Sequence, residues 1–385
     1  MIYKSQIIQG DVRTSLGTLE DASIDCVVTS PPYYGLRDYQ VDGQIGLEST
    51  IDEYVDTMVK VFSEVSRVLK PTGTVWLNLG DSYNGSGKGA WDKTDVQKEV
   101  YVPPKGTPVT RVKGLKPKDL CGIPWRVAFA LQADGWYLRQ EIIWSKPNPM
   151  PESVKDRCTK AHESIFLLAH PESKGKYYYD ADAVREKSET QWNSTQFVTE
   201  KRVQRDIGKG FGNLNQGNSA HPDLERSDRN KRSVWSISLK PYSQAHFATF
   251  PPELPRTCIL AGTSEKGVCP DCGLGWIRVV ETHKPPLRQV KISGPVSGHG
   301  LLGGKRWDEP IQRNTTGWQP QCDCGSDPVP PTVLDPFAGA GTTLMVANQL
   351  QRHAIGVELN PDYQKLGQDR IYDDAPLFNG IGGLA

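Results

Sequence analysis

A short stretch near the start of the chain, the peptide T-S-P-P-Y at positions 29–33, combines a hydroxyl, two prolines and an aromatic ring. The prolines fix their own φ and restrict the preceding residue, so Ser30 is held in an extended conformation. Proline carbonyls still accept hydrogen bonds. This rigid rim suits a planar ring with an exocyclic amine, because the acceptors hold the N–H hydrogens while Tyr33 stacks on the ring. The alternative is a strand-ending turn that contains Pro-Pro by chance.

A second stretch lies near the other end of the chain. Residues 333–343 (V-L-D-P-F-A-G-A-G-T-T) predict a strand, a glycine turn and a helix start, and residues 354–358 predict a further strand that ends in Glu358. Glycines let a backbone approach a ligand closely, and a helix N-terminus favours a carboxylate. An acid at the end of the next strand is placed to hold ribose hydroxyls. A glycine pair alone is a weak signal, but the whole arrangement is stronger.

Together, the two stretches resemble the amino-methylating DNA methyltransferases, which transfer a methyl group from S-adenosylmethionine (SAM) to an exocyclic base nitrogen. The catalytic motif (S/D/N)-P-P-(Y/F/W) of that family matches Ser30, Pro31, Pro32 and Tyr33, and its F-x-G-x-G cofactor motif matches residues 337–341. The catalytic motif comes first, which is the circularly permuted beta arrangement of the family. The resemblance covers most of the chain and implies an α/β fold with a doubly wound, Rossmann-like SAM-dependent methyltransferase sheet.

The resemblance also implies a set of cofactor-binding residues. They are Asp11, Thr29, Phe247, Thr249, Asp335, Phe337, Gly339, Gly341, Thr342, Thr343 and Glu358. In the family, an acid equivalent to Asp11 accepts a hydrogen bond from the SAM adenine, although a turn Asp after glycine is the alternative here. Phe247 and Thr249 belong to an H-F-A-x-F-P segment that packs beside the methionine end of the cofactor in the family.

For the reaction, the resemblance implies direct methyl transfer to a base that is flipped out of double-stranded DNA. The Ser30 hydroxyl and the Pro31 carbonyl would accept from the amine, and orientation would supply most of the acceleration. Serine at the first motif position favours cytosine N4 as the target and leaves adenine N6 open. No Pro-Cys dipeptide occurs, which argues against the carbon-5 cytosine route. A zinc-containing DNA-binding protein with an inactive methylase core is the alternative of another class.

Two cysteine pairs suggest a structural metal. Cys269 and Cys272 form a C-x-x-C pair, and Cys322 and Cys324 form a second pair with a one-residue gap. Four thiolates, each pair followed by a glycine, suit a tetrahedral structural zinc ion in a small ribbon-like insert. The shorter second spacing departs from the commoner one, and chance clustering of reduced cysteines is the alternative.

The motifs divide the chain into five predicted segments. They are a catalytic half (1–180), a target-recognition insert (181–240), a cofactor-pocket segment (241–262), a zinc-ribbon-like insert (263–328) and a SAM-binding half (329–385). Residues 185–240 carry eleven basic and seven acidic side chains and few aliphatic ones, which suits reading of base edges and phosphates. A mobile insert without such a role is the alternative. A basic loop at 101–118 is a second candidate for phosphate contact.

Within the first segment, helical and strand patterns alternate, which favours a parallel sheet with helices on both faces. We predict helices at 50–69 and 123–133, strands at 74–79 and 136–144, and a last, antiparallel strand at 163–169. An I-I-W-x-K-P-N stretch recurs near the target-base pocket of the family, so we expect Trp144 and Lys146 to line that pocket.

Composition limits the protein's setting. The 385 residues include 45 basic and 45 acidic side chains, so any affinity for DNA must come from local patches. The N-terminus lacks a signal pattern and no apolar run approaches membrane-spanning length, so we expect a cytoplasmic protein that does not bind membranes. The eight cysteines are then thiols or metal ligands rather than disulfides. A homodimer and a cognate restriction endonuclease remain open as partners.

Overall fold

The protein is represented by a computed structural model, which describes residues 4–84, 114–187, 228–240, 250–283, 287–290, 304–307 and 311–374. The chain forms two compact units. The larger unit contains residues 1–180, 232–277 and 320–385, and the smaller contains residues 181–231 and 278–319. The five-segment division drawn from the motifs stays a prediction.

The strands, in chain order, are β1 (Ser5–Gln9), β2 (Ile24–Thr29), β3 (Leu69–Leu79), β4 (Tyr137–Ser145), β5 (His162–Ala169), β6 (Glu186–Lys187), β7 (Asp228–Arg229), β8 (Val234–Ser236), β9 (Ile277–His283), β10 (Leu287–Val290), β11 (Gly304–Trp307), β12 (Gln312–Gln319), β13 (Thr332–Asp335) and β14 (His353–Glu358). The helices are α1 (Val12–Ser15), α2 (Ile51–Val68), α3 (Ile123–Ala133), α4 (Glu253–Gly262), α5 (Thr342–Gln349) and α6 (Pro361–Asp374).

Eight strands of the larger unit form one sheet in the order β1-β14-β13-β2-β3-β5-β4-β8. The first five of these strands run parallel to one another. Strand β13, from the C-terminal part of the chain, pairs directly with β2, where Val333 faces Cys26 and Leu334 faces Val27. Because parallel strands present their carboxyl ends at the same edge of the sheet, the segments that follow β2 and β13 emerge side by side. This confirms the predicted Rossmann-like α/β fold.

Strand β5 is antiparallel to both β3 and β4, as the resemblance implied. Its predicted place as the last strand of the sheet is wrong, because β5 lies inside the sheet and the short strand β8 extends it beyond β4. In β8, Trp235 is buried and packs against Trp76 of β3 with ring centroids 6.2 Å apart.

Helix α2 shows why the helical pattern was readable. Thr50 and Glu53 form a reciprocal capping box at its start. An apolar face that includes Tyr54, Met58 and Phe62 is fully buried against the sheet core. The helix ends where Leu69 adopts an extended conformation and begins β3, one residue earlier than predicted.

In the smaller unit, β6 pairs with β7, β10 with β11, and β9 with β12. Two ion pairs, Arg185–Asp228 and Arg229–Glu186, link β6 and β7, which pair antiparallel. Most of the predicted recognition insert, residues 188–227, and the basic stretch 101–113 lie outside the described residues. No helix among the described residues is long and apolar enough to cross a membrane.

Candidate active site

A cavity of about 360 Å³ opens at the carboxyl edge of the sheet in the larger unit. Its wall includes Ser30, Pro31, Pro32 and Tyr33, which follow β2, and residues 336–340, which follow β13. Two stretches that lie some three hundred positions apart in the sequence therefore share one cavity. Their meeting follows from the parallel pairing of β2 with β13.

One side of the cavity is a hydrogen-bonded cluster around Tyr33, and we call it the base side because the resemblance predicts that the target base binds there. The Tyr33 hydroxyl donates to Glu163 Oε2 at 2.7 Å and lies 3.1 Å from Ser30 Oγ. Asn78 Nδ2 lies 2.9 Å from both the Tyr33 hydroxyl and Glu163 Oε2. Lys146 forms an ion pair with Glu163 through Oε1. These five polar side chains come from β3, β5 and the segments that follow β2 and β4, and all line the cavity.

Charge and burial set the ionisation of this cluster. Burial disfavours a charged Glu163, but the adjacent Lys146 ammonium and hydrogen bonds from Lys146, Asn78 and Tyr33 outweigh it and lower the pKa of Glu163. Burial and the Glu163 charge raise the pKa of Tyr33 well above its ordinary value. At neutral pH Glu163 is therefore a carboxylate and Tyr33 a protonated phenol.

Close packing fixes the Tyr33 ring and the proline rim. A Cβ added to Gly80 would lie 2.4 Å from the Tyr33 ring, so the ring occupies the space above the glycine that follows β3. The Tyr54 hydroxyl donates to the Pro32 carbonyl at 2.9 Å. Gly46, with φ of +102°, lets the following loop pass within contact distance of the same rim.

The opposite side of the cavity is built by the glycine turn after β13 and by Glu358 at the end of β14. Glu358 Oε2 accepts from the Gly339 amide at 2.8 Å, and Oε1 accepts from the Asn360 amide at 2.9 Å. Burial raises the pKa of Glu358. Gly341 has φ of +71°, and a Cβ there would meet the Gly367 backbone at 3.1 Å. The turn is thus held tightly between the β14 acid and helix α6.

Asp335 supports this turn from below. Its carboxylate accepts from the Thr29 and Thr343 hydroxyls at 2.7 Å each and from the Phe337 amide at 3.1 Å. Asp335, Thr29 and Thr343 are almost fully buried and are not part of the cavity wall. Burial raises the pKa of Asp335 to about 6. The structure therefore places these three predicted cofactor residues beneath the turn, where they position it.

Two further predicted residues face the cavity with partners of their own. Asp11 caps helix α1 and is ion-paired with Arg13, whose hydrogen bonds lower the pKa of Asp11. Thr342 accepts from Arg370 of helix α6 at 2.8 Å. Phe337 also lines the cavity. The predicted Phe247 and Thr249 lie outside the described residues.

The sequence matches the model of the N6/N4 methyltransferase family, described as DNA methylase, over residues 24–280 and 328–369. It is 39% identical over 367 residues to the type II methyltransferase M.Cfr9I of Citrobacter freundii, covering 95% of this chain and 87% of that protein. It is 39% identical over 370 residues to the type II methyltransferase M.SmaI of Serratia marcescens, covering 95% and 90%. The chain belongs to the DNA amino-methyltransferase family.

Among solved structures, the methylase superposes on the PvuII DNA methyltransferase, described as cytosine-N4-specific, with a TM-score of 0.52. The two chains are 16% identical, and the superposition covers 99% of this methylase and 94% of that one. At this identity the likeness bears on the fold alone, and it agrees with the Rossmann-like sheet described above.

Several residues that line the methylase cavity do not belong to either the S-P-P-Y or the F-x-G-x-G motif. Asn78 lies inside a predicted strand and Glu163 begins another, and the residues beside them form continuous buried runs. An acid at the start of an apolar strand was the available signal, because a carboxylate shielded from water needs a partner. Trp144 and Lys146 do line the cavity, as predicted from the resemblance.

The four predicted metal ligands of the methylase come together away from the cavity. The sulfur atoms of Cys269, Cys272, Cys322 and Cys324 all lie within 4.8 Å of one another. Zn–S bonds of about 2.3 Å in a tetrahedron put sulfurs roughly 3.8 Å apart, so the cluster fits a zinc ion. A bridge between Val268 and Val329 ties the cluster to the segment that leads into β13.

Proposed function

We propose that the enzyme transfers a methyl group from S-adenosylmethionine to the N4 amine of a cytosine flipped out of double-stranded DNA. The observation that carries this proposal is the single cavity that joins the S-P-P-Y rim to the glycine turn and Glu358. The rim suits an amine-bearing base, and the turn suits the cofactor. Ser30 at the first motif position favours cytosine over adenine.

The cofactor side of the cavity fits SAM. Each oxygen of the Glu358 carboxylate already accepts one backbone amide, and each keeps a lone pair that a ribose hydroxyl could use. The backbone of Gly339 and Gly341 lets the methionine part approach closely. Asp11, Phe337 and Thr342 complete the proposed contacts, while Thr29, Asp335 and Thr343 hold the turn in place. SAM would supply an electrophilic methyl group.

The base side orients the amine. Tyr33 stacks on the flipped base, and the Ser30 hydroxyl and the Pro31 carbonyl accept the amine hydrogens. This rotates the nitrogen lone pair, otherwise delocalised into the ring, toward the methyl group. Positioning supplies most of the acceleration, because holding two reactants in line replaces a costly encounter. A strong base is not needed, since the methylated nitrogen is acidic until it loses its proton.

Nucleoside mass spectrometry of DNA methylated in vitro tests this proposal directly. We expect N4-methylcytosine, with the modified sequence mapped by methylome sequencing of a host that expresses the enzyme. Detection of N6-methyladenine alone would overturn the cytosine assignment and leave the rest intact. Calorimetry with SAM tests the cofactor, and a chain that binds DNA without binding SAM would be a non-catalytic DNA-binding protein.

We further propose that the four cysteines hold a structural zinc ion. Elemental analysis of the purified protein should give about one zinc per chain. Cys272→Ser should lose the metal and lower the melting temperature. Cys158→Ser, a change at an exposed cysteine outside the cluster, should do neither. A metal-free protein with unchanged stability in the Cys272→Ser variant would refute the zinc site.

The type II names of the relatives favour a place in a restriction–modification system. An endonuclease that cuts the same sequence, action in the cytoplasm on host DNA, and a homodimer are the proposals that follow. Cleavage of unmethylated but not methylated host DNA by an extract of the source cell would support the endonuclease. Light scattering at several protein concentrations would test the dimer.

A further inference from the structure

A buried carboxylate fixes the direction of the hydrogen bonds on the base side. Glu163 is ionised, because Lys146 is ion-paired with its Oε1 atom and stabilises the charge. An ionised carboxylate can only accept hydrogen bonds. The Tyr33 hydroxyl, 2.7 Å from Glu163 Oε2, must therefore donate, and its single hydrogen is used there.

The direction of the Tyr33–Glu163 hydrogen bond also determines which atom donates between Ser30 and Tyr33. Ser30 Oγ lies 3.1 Å from the Tyr33 oxygen. Because Tyr33 has already donated its hydrogen to Glu163, Ser30 must be the donor in this contact. The only hydrogen of Ser30 is then committed as well. What the Ser30 oxygen still offers to the cavity is a lone pair, so toward a base it can act only as an acceptor.

Asn78 supports the same direction. Its Nδ2 group lies near Glu163 Oε2, Tyr33 and Ser30, at 2.9, 2.9 and 3.3 Å. The carboxylate requires the amide nitrogen on this side, which leaves Oδ1 buried without a partner in the part of the chain that the structure describes. An unsatisfied buried acceptor costs about 1–3 kcal/mol. The Asn78 amide is thus held with its nitrogen donating to the cluster, although this orientation lowers the stability of the protein.

We propose that Glu163 is a positioning residue that makes Ser30 an obligate acceptor, so that the pocket takes a base with an exocyclic amine and rejects its carbonyl counterpart. This inference rests on the proposed function, because it concerns how that pocket selects its target. Glu163 acts through Tyr33 and Ser30 and need not touch the base itself.

The experiment compares two DNA duplexes that carry the mapped recognition sequence. One has the normal target base, and the other has its deaminated counterpart, uracil for cytosine or hypoxanthine for adenine. The base opposite the target is removed from both, so that extrusion of either base breaks no pair. Binding is titrated in the presence of S-adenosylhomocysteine, which prevents turnover. The wild type should prefer the amine-bearing duplex by about tenfold, the effect of one mispaired hydrogen bond.

Glu163→Gln should bring this preference close to one. Lys146 can only donate, so the introduced amide should turn its oxygen toward Lys146 and its nitrogen toward Tyr33. Asn78, whose Nδ2 group donates to Glu163 Oε2 in the wild type, should then turn its amide oxygen to this side to accept from the new nitrogen. Tyr33 would then donate to Ser30, and Ser30 would be free to donate to a carbonyl. Tyr33→Phe should have a similar effect, because it removes the middle link and releases the Ser30 hydrogen. SAM affinity, measured by calorimetry, should stay at the wild-type value in both variants.

Glu141→Gln is the matched control. Glu141 lies on β4, accepts from Ser164 at 2.8 Å and is not part of the cavity wall, so its variant should keep the tenfold preference. If the wild type shows no preference, the proposed base pocket itself is wrong. If the wild type prefers the amine and both Glu163→Gln and Tyr33→Phe keep the full ratio, the inference on Glu163 alone fails. Should Glu163→Gln not fold, Tyr33→Phe decides.

Discussion

Each side of the cavity is supported by a carboxylate shielded from solvent, Glu163 on one side and Asp335 beneath the glycine turn on the other, and the two behave in opposite ways. On the base side, Glu163 faces the Lys146 ammonium, and its pKa is lowered. Beneath the glycine turn, Asp335 accepts from two hydroxyls and an amide and has no cationic partner among the described residues, and burial raises its pKa to about 6. Burial alone thus does not decide ionisation, because a full opposite charge outweighs desolvation here and neutral donors do not.

This difference matches what each side has to do. In the proposed function the base side presents acceptors of fixed direction, and the negative charge of Glu163 at neutral pH fixes that direction. The cofactor side must hold a backbone turn in one shape, and hydrogen bonds from Thr29 and Thr343 to Asp335 achieve this without a net ion pair. Changes on the base side should therefore affect turnover, and changes on the cofactor side should affect SAM affinity.

The largest effect is expected from Ser30→Ala. The variant removes the acceptor that we propose for the reacting amine, and losing one such hydrogen bond should lower turnover by about 100-fold or more. SAM affinity should stay within twofold of the wild type, because Ser30 lies on the base side. Single-turnover methylation rates and calorimetry measure the two quantities. A variant that loses SAM affinity and keeps its turnover at saturating SAM would break the division between the two sides.

The opposite pKa shifts give opposite pH dependences of stability. A raised folded pKa of about 6 for Asp335 means that its contribution is present below the ordinary value of 3.8 and lost as pH rises through about 6. This amounts to about 3 kcal/mol at 1.36 kcal/mol per pKa unit. Relative to the wild type, Asp335→Asn should therefore gain up to about 3 kcal/mol of unfolding free energy between about pH 4 and pH 7.

Glu163 supplies the contrast within the same experiment. Its lowered pKa means that its stabilising contribution is present above the ordinary value of 4.5 and lost as pH falls through the folded value. The cost of Glu163→Gln should therefore shrink on acidification below about pH 4.5. Urea unfolding of the wild type and both variants across pH measures this. Parallel pH dependences in the two variants would contradict the difference in their surroundings.

The motifs predicted the rim and the turn, because prolines and glycines mark special backbone shapes in the sequence itself. The doubly wound sheet was equally readable, since helix α2 and its neighbours show regular apolar spacing. The sequence did not show which side chains the motif residues would contact. Whether Tyr33 contacts Glu163 depends on the register between β3 and β5, in which Asn78 pairs with Ile165. That register is set by pairing between strands that are far apart in the sequence.

The role of Asp335 shows a second limit. The sequence placed this acid at the end of a strand beside a glycine turn, which fits direct cofactor contact as well as support of the turn. The direction of the Asp335 side chain distinguishes cofactor contact from support of the turn. That direction depends on hydrogen bonds from Thr29 and Thr343, which lie near opposite ends of the chain. Spacing in one strand carries no information about such contacts.

A smaller effect, about tenfold on turnover, is expected from Gly80→Ala. The added methyl group would lie 2.4 Å from the Tyr33 ring, so the ring must move away from the position in which we propose that it stacks on the base. A displacement of this kind lowers the rate without removing any polar group. Gly17→Ala is the control, because nothing lies within 4 Å of its added Cβ. Wild-type turnover in Gly80→Ala would show that the position of the Tyr33 ring does not matter.

The smallest effect is expected on the cofactor side, from Arg370→Met. Arg370 donates to the Thr342 hydroxyl at 2.8 Å and to the Ala340 carbonyl at 3.2 Å, and so braces the glycine turn from helix α6. Loss of this support should weaken SAM binding about fivefold. This is less than the loss in affinity expected when a fully buried hydrogen bond to a charged group is removed. Turnover at saturating SAM should not change.

Lys365→Met, which removes an exposed ion pair from the same helix, should leave both quantities at the wild-type value. If Arg370→Met instead lowers turnover and leaves SAM affinity unchanged, the turn supports the base side as well, and the two sides are not independent.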